Sequence, residues 1–99
     1  MVHAHGFTVR RAQDSDEPTL SWLTSLSSEP ALRRPVLIGH LDGMPAAALS
    51  LVDGRLVENP LYPAPGLAGH LRLHRAGWRL GAHREALRAQ LRRILPFLV

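Results

Sequence analysis

The first third of the chain places apolar residues at alternating positions and then at helical spacing. Phe7 and Val9 alternate with polar neighbours in a segment that predicts a half-buried strand over 7–12. A helix start follows, because Asp16 is suited to capping first-turn amides and Pro18 to an early helical position. The predicted helix is short, and its apolar side is formed by Leu20, Leu23 and Leu26.

Two Asp-Gly pairs separate three apolar runs in the middle of the chain. Aspartate and glycine accept the positive φ angles that tight hairpins need, so the pairs at 42–43 and 53–54 predict hairpin turns. We therefore expect three antiparallel strands in succession, over 35–41, 45–52 and 55–58.

The last third of the chain has the apolar spacing of helices. Leu67, Leu71 and Trp78 share one helical face, but a second apolar series is out of phase with them on a straight helix. We therefore expect a kink, or two helices meeting, near Gly77 and Gly81. The second series consists of Leu87, Leu91, Ile94, Leu95 and Leu98.

A seven-residue recurrence of leucine or isoleucine also runs through this segment, at 73, 80, 87 and 94. The positions between these residues include Ala76, His83 and Gln90, which make a coiled-coil seam weak.

The predicted elements together describe one α+β domain over 1–99. Residues 7–64 form an antiparallel meander of about four strands with a short N-terminal helix. Residues 65–96 form a long, basic helical segment, kinked or broken, that packs on the sheet.

Composition restricts the chemistry that the chain can support. The 99 residues contain no cysteine, which excludes disulfides, thiolate metal sites and cysteine nucleophiles. We expect a cytoplasmic protein, because the N-terminus lacks signal-peptide features. Residues 1–69 hold five arginines against seven acids, whereas 70–99 hold seven arginines against one glutamate. The formal charge is therefore −2 in the first part and +6 in the second, which indicates either an anionic partner for the C-terminal segment or a solvated face in an arginine-rich composition.

A family resemblance accompanies this pattern. The opening strand and helix start, with Val9, Arg10, Ala12 and Asp16, resemble the N-terminal half of the GNAT acetyltransferase superfamily. The two hairpins over 35–60 look like the central hairpins of that superfamily. The chain also resembles short actinobacterial proteins that have a GNAT-like beginning. The resemblance covers roughly residues 7–75 and implies a partial GNAT-like fold.

The cofactor site that the resemblance implies is altered in this chain. GNAT enzymes hold the acetyl-CoA pyrophosphate on backbone amides of an Arg/Gln-x-x-Gly-x-Gly/Ala turn. Here Pro63 replaces the Arg or Gln, and Pro63 and Pro65 have no amide hydrogen to donate. The resemblance also does not extend to the later strands of the acetyltransferase fold. We therefore expect no cofactor and no acetyl transfer, although Glu58 lies where some GNAT enzymes keep a general base.

The histidines are the remaining candidates for chemistry. His70 and His74 are spaced i, i+4 on the predicted helix and could face one metal ion, but no third ligand has a convincing spacing. We expect an exposed polar pair and no metal site. His3 and His5 are possible weak ligands, for which disorder is the simpler interpretation.

The arginines and apolar residues of the C-terminal segment are the candidate binding residues. They indicate a non-catalytic interaction or accessory module that works as a homodimer or as a subunit of a larger complex. Nucleic-acid binding is the alternative, and contact with an anionic membrane surface is less favoured. The predicted anion- or partner-binding residues are Arg72, Arg75, Arg79, Arg84, Arg88, Arg92 and Arg93, and the predicted apolar interface is Trp78, Leu87, Leu91, Ile94 and Leu95.

Overall fold

A four-stranded antiparallel sheet in the order β1-β2-β3-β4 organises the protein. The computed structural model describes residues 6–95. A helix, α1, follows β1, and a long helix, α2, follows β4, so the predicted α+β meander is confirmed. The strands are β1 (Phe7–Arg11), β2 (Val36–Leu41), β3 (Met44–Ser50) and β4 (Leu56–Glu58), and the helices are α1 (Glu17–Leu26) and α2 (Leu67–Ile94).

The first Asp-Gly pair forms the predicted tight turn, and the second lies in a longer connection over 51–55. Asp42 and Gly43 have φ angles of 50° and 84°, the left-handed pair that a two-residue hairpin needs. The second turn begins earlier than predicted, because β3 ends at Ser50 rather than at residue 52. The Ser50 hydroxyl oxygen accepts from the Val52 amide at 3.2 Å and donates to the Arg33 carbonyl at 2.7 Å, so this buried serine organises the turn.

Asp16 precedes α1 as expected, but it does not cap the free amides of the helix. Its carboxylate accepts two bonds from the Arg10 guanidinium, at 2.6 and 2.7 Å, and one from the Gln13 amide at 2.7 Å. These donors hold the pKa of Asp16 well below its usual range. The predicted capping was wrong because β1 places an arginine beside the carboxylate, and the pair ties the helix start to the sheet instead.

The sheet carries one helix on each face. β2 has four consecutive buried residues, because both of its faces are covered. Leu37 and Leu49 pack on the α2 side with Leu67 and Leu71, whereas Ile38 belongs to the α1 side. The α1-side cluster consists of Leu20, Leu23, Val36, Ile38, Ala48 and Val57.

α2 is one continuous helix through Gly77 and Gly81, so of the two expected arrangements, a kink or two helices, the pair of helices is excluded. The helix tolerates these glycines because its other residues there are strong helix formers, such as alanine, leucine and arginine. Its 28 residues span about 42 Å. The radius of gyration is 16.8 Å, against about 13 Å for a compact chain of this length, because α2 extends beyond the sheet.

Candidate interaction helix

The first turns of α2 are locked against the sheet by a glycine. Gly39 in β2 has no side chain, and a Cβ built there would lie 2.8 Å from a methyl carbon of Leu67. Leu67 and Leu71 are consequently buried, with 1% and 0% of their surface exposed. The absence of a side chain at Gly39 thus creates the socket from which α2 projects.

Arg75 holds α2 to the turn after β3. Its Nε donates to the Leu51 carbonyl at 3.1 Å, and a terminal nitrogen donates to the Val52 carbonyl at 3.2 Å. The guanidinium also covers Gly54, where an added Cβ would meet it at 3.0 Å. Arg75 is therefore engaged within the domain, and the other predicted arginines are the ones that a partner would reach. Beyond it, residues 76–94 form what we call the projecting segment.

The two out-of-phase apolar series lie on opposite sides of this continuous helix. At 3.6 residues per turn, Leu67, Leu71 and Trp78 fall on the face toward the sheet. The seven-residue series falls nearly opposite, within about 60° of arc around the helix. Leu91 falls in the same arc, and we call the five residues together the outer stripe: Leu73, Leu80, Leu87, Leu91 and Ile94.

The outer stripe is exposed to solvent over its whole length. Leu73 and Leu80 expose 73% and 60% of their surface, and the other three members expose between 43% and 56%. Two further residues of the predicted apolar interface lie off the stripe. Trp78 is on the sheet-facing side but beyond the sheet, and Leu95 lies just past the end of α2. Leu98 lies outside the described residues.

Arginines flank the outer stripe on both sides. Within the described residues of α2, the only arginine paired with a carboxylate is Arg88, at 3.0 Å from Glu85. Arg84 lies at the margin of the stripe, close in angle to Leu91. Arg72 and Arg79 lie on one flank and Arg84 and Arg88 on the other, whereas Arg75, Arg92 and Arg93 lie about 100° of arc from the nearer edge of the stripe.

Three glycines within α2 have no packing contact with the described residues that would require the absence of a side chain. A Cβ added at Gly69, Gly77 or Gly81 would meet no atom within 4 Å. Glycine in a helix interior costs about 1 kcal/mol relative to alanine. The helix therefore bears this cost with no contact among residues 6–95 to offset it.

A cleft of about 540 Å³ lies between β4 and the start of α2, which is the region of the implied acetyl-CoA turn. Pro63, Pro65 and Gly66 line one side of it, and Glu58 and Glu29 line the other. The Glu58 carbonyl accepts from the Ser27 hydroxyl at 3.1 Å. The residues around the cleft include two carboxylates and no arginine, a poor match to a pyrophosphate.

His70 and His74 lie together near the start of α2. Their rings are 4.9 Å apart in an edge-to-face arrangement, and His70 is also 6.0 Å from the Phe7 ring. Within the described part of the chain, no group of three or more histidines or acids is placed to hold a metal ion. His3 and His5 lie outside that part.

Two features of this site escaped the sequence interpretation. Gly39 is an ordinary residue in an apolar run, and Arg75 is one arginine among seven, so neither is distinctive by type. The seven-residue recurrence was the available signal for the outer stripe. It was given little weight because Ala76, His83 and Gln90 lie between its members and weaken a coiled-coil seam.

Comparisons with known proteins found no counterpart. No protein-family model, no curated protein and no solved structure matches this chain. Within residues 6–95, no helix combines the length and the apolar character needed to cross a bilayer.

Proposed function

We propose that this protein is a non-catalytic interaction module, in which a small GNAT-like half-fold presents α2 to another protein chain. The observation that carries the proposal is the outer stripe, which points away from the sheet along a helix projecting beyond it. The order of strand, helix, three strands and helix supports the likeness to the N-terminal half of GNAT proteins.

The location of the exposed apolar side chains indicates a partner. Single exposed leucines are ordinary, but contiguous apolar patches on a soluble protein mark interaction surfaces. Here the five residues of the outer stripe are aligned on one face of a rigid element about 40 Å long. A partner chain lying along that face would remove them from water without disturbing the sheet.

Site-specific cross-linking tests the proposal. A photoreactive amino acid replaces Leu87 on the outer stripe in one variant, and Ala82 on the other side of α2 in a matched control. We expect a protein adduct of defined mass, or a cross-linked dimer, from position 87 and much less from position 82. A chain that stays monomeric in light scattering and yields no position-dependent adduct would contradict the proposal.

Nucleic-acid binding is a second candidate, favoured by the flank that holds Arg72 and Arg79. These residues line a shallow depression of about 600 Å³ together with His83. Guanidinium groups at such spacing suit backbone phosphates, and binding would weaken steeply with salt. The weakness of this candidate is that phosphates would leave the outer stripe in water. A gel shift at low salt tests it, and no retardation of duplex or single-stranded probes excludes it.

A further inference from the structure

The width and spacing of the outer stripe indicate which kind of surface covers it. Coiled coils place apolar residues at the first and fourth positions of a seven-residue repeat, called a and d. Leu73, Leu80, Leu87 and Ile94 occupy successive d positions on the continuous helix, whereas the a positions hold His70, Gly77, Arg84 and Leu91. A stripe about 60° wide is a helix-pairing seam, whereas a helix lying in a membrane surface needs a broader apolar face.

The charge beside the seam distinguishes between partner helices. α2 carries seven arginines and one glutamate, a net charge of +6 with histidines neutral. Arg84 occupies an a position, and within the described residues it has no carboxylate partner. A second copy of this chain would bring an equally basic helix against the seam, and the like charges would repel across it.

We propose that the outer stripe binds an acidic amphipathic helix of a different protein, whose leucine seam is flanked by glutamate or aspartate. The inference rests on the proposed function and specifies its partner. The partner's apolar residues cover Leu80, Leu87 and Leu91, and its carboxylates pair with Arg84 and with the arginines beside the stripe. Removal of Arg84 from water is compensated only by an acidic group, so the seam selects for such a helix.

A synthetic peptide provides the probe for this proposal. It is about four heptads long, with leucine at a and d and glutamate at e and g, and it carries a fluorophore for anisotropy. Repulsion between its glutamates limits its self-association. The control peptide keeps the leucines and has lysine at e and g. We expect the full-length chain to bind the acidic peptide at least about tenfold more tightly than the basic one, with affinity falling as salt rises.

Two charge reversals on α2 separate pairing at the seam from general attraction. Arg84→Glu places an acid at the seam, and Arg93→Glu makes the same change well away from it. Both positions are exposed, so circular dichroism should show unchanged folding. We expect Arg84→Glu to weaken acidic-peptide binding by about tenfold and to improve binding of the basic peptide, while Arg93→Glu changes either by less than about threefold.

Several results would overturn the proposal. Equal binding of both peptides would show that the stripe does not select its partner by charge, and equal effects of the two reversals would show attraction by net charge alone. Dimers in light scattering that Leu87→Asp dissolves would show that the occupant is a second copy. Binding to vesicles containing phosphatidylglycerol, abolished by Leu87→Asp, would assign the stripe to a membrane. If the acidic peptide fails while cross-links persist from position 87, the partner class is wrong and the interaction module stands.

Discussion

The division of α2 into a docked start and a projecting remainder makes a quantitative prediction about two of its leucines. Leu71 is fully buried in the cluster beneath the sheet, and Leu87 is 47% exposed on the outer stripe. Truncation of each to alanine removes the same atoms from the same helix. The two variants should therefore differ in stability only because one leucine packs and the other does not.

The expected magnitudes follow from burial. Leu71→Ala loses the transfer free energy of the side chain and leaves a cavity, for about 3 kcal/mol within a usual range of 2–5. A domain of this size is stable by only about 5–15 kcal/mol, so the loss is a large fraction of the total. Leu87→Ala removes exposed atoms and gains slightly in helix propensity, and the free energy of unfolding should change by less than about 0.5 kcal/mol.

Urea unfolding followed by circular dichroism measures both effects. With a slope of about 1 kcal/mol per molar urea, the Leu71→Ala midpoint should fall by about 3 M at unchanged slope, and that of Leu87→Ala should stay in place. A loss below about 1 kcal/mol for Leu71→Ala would show that α2 is not docked as described. A loss above that value for Leu87→Ala, independent of protein concentration, would show that the projecting segment packs on its own domain.

Three further predictions concern Gly39, the glycines of α2 and the Asp16–Arg10 ion pair. Gly39→Ala should destabilise the protein by about 1–3 kcal/mol in thermal unfolding, because its Cβ would meet the buried Leu67 at 2.8 Å; wild-type stability would refute the socket. Replacement of both Gly77 and Gly81 by alanine should stabilise the helix by about 1 kcal/mol per site, since an added Cβ is unobstructed. The helix content measured by circular dichroism should therefore rise, and a lower helix content would contradict this. The pKa of Asp16 is lowered by Arg10, so its contribution to stability is complete above about pH 4 and is lost as pH falls below that value. Asp16→Asn should remove this acid-dependent step from urea midpoints measured between about pH 5 and 2, and an unchanged pH profile would exclude the role of the pair.

Local features of the sequence predicted most of the architecture. The Asp-Gly pairs located both connections of the meander, because Asp42, Gly43 and Gly54 are of the residue types that accept the positive φ angles found there. The apolar runs between them located three strands to within two residues at each end. The helix spacing from Gly66 onward and the +6 charge of the last third likewise needed no tertiary information.

The roles of particular side chains were decided only by contacts between distant segments. Asp16 turns from a helix cap into an ion-pair partner because β1 brings Arg10 beside it. Arg75, unlike most arginines of α2, is bound within the domain, because it donates to two carbonyl oxygens of the turn after β3.

The outer stripe illustrates the same division between sequence and structure. Sequence spacing determined that two apolar series exist on the C-terminal segment, but their relation depended on whether the helix is continuous. The tertiary structure also decided which series is buried, because Gly39 admits Leu67 to the sheet and thereby turns the opposite face outward. Periodicity describes positions relative to a helix axis, and only packing determines which side of that axis faces solvent.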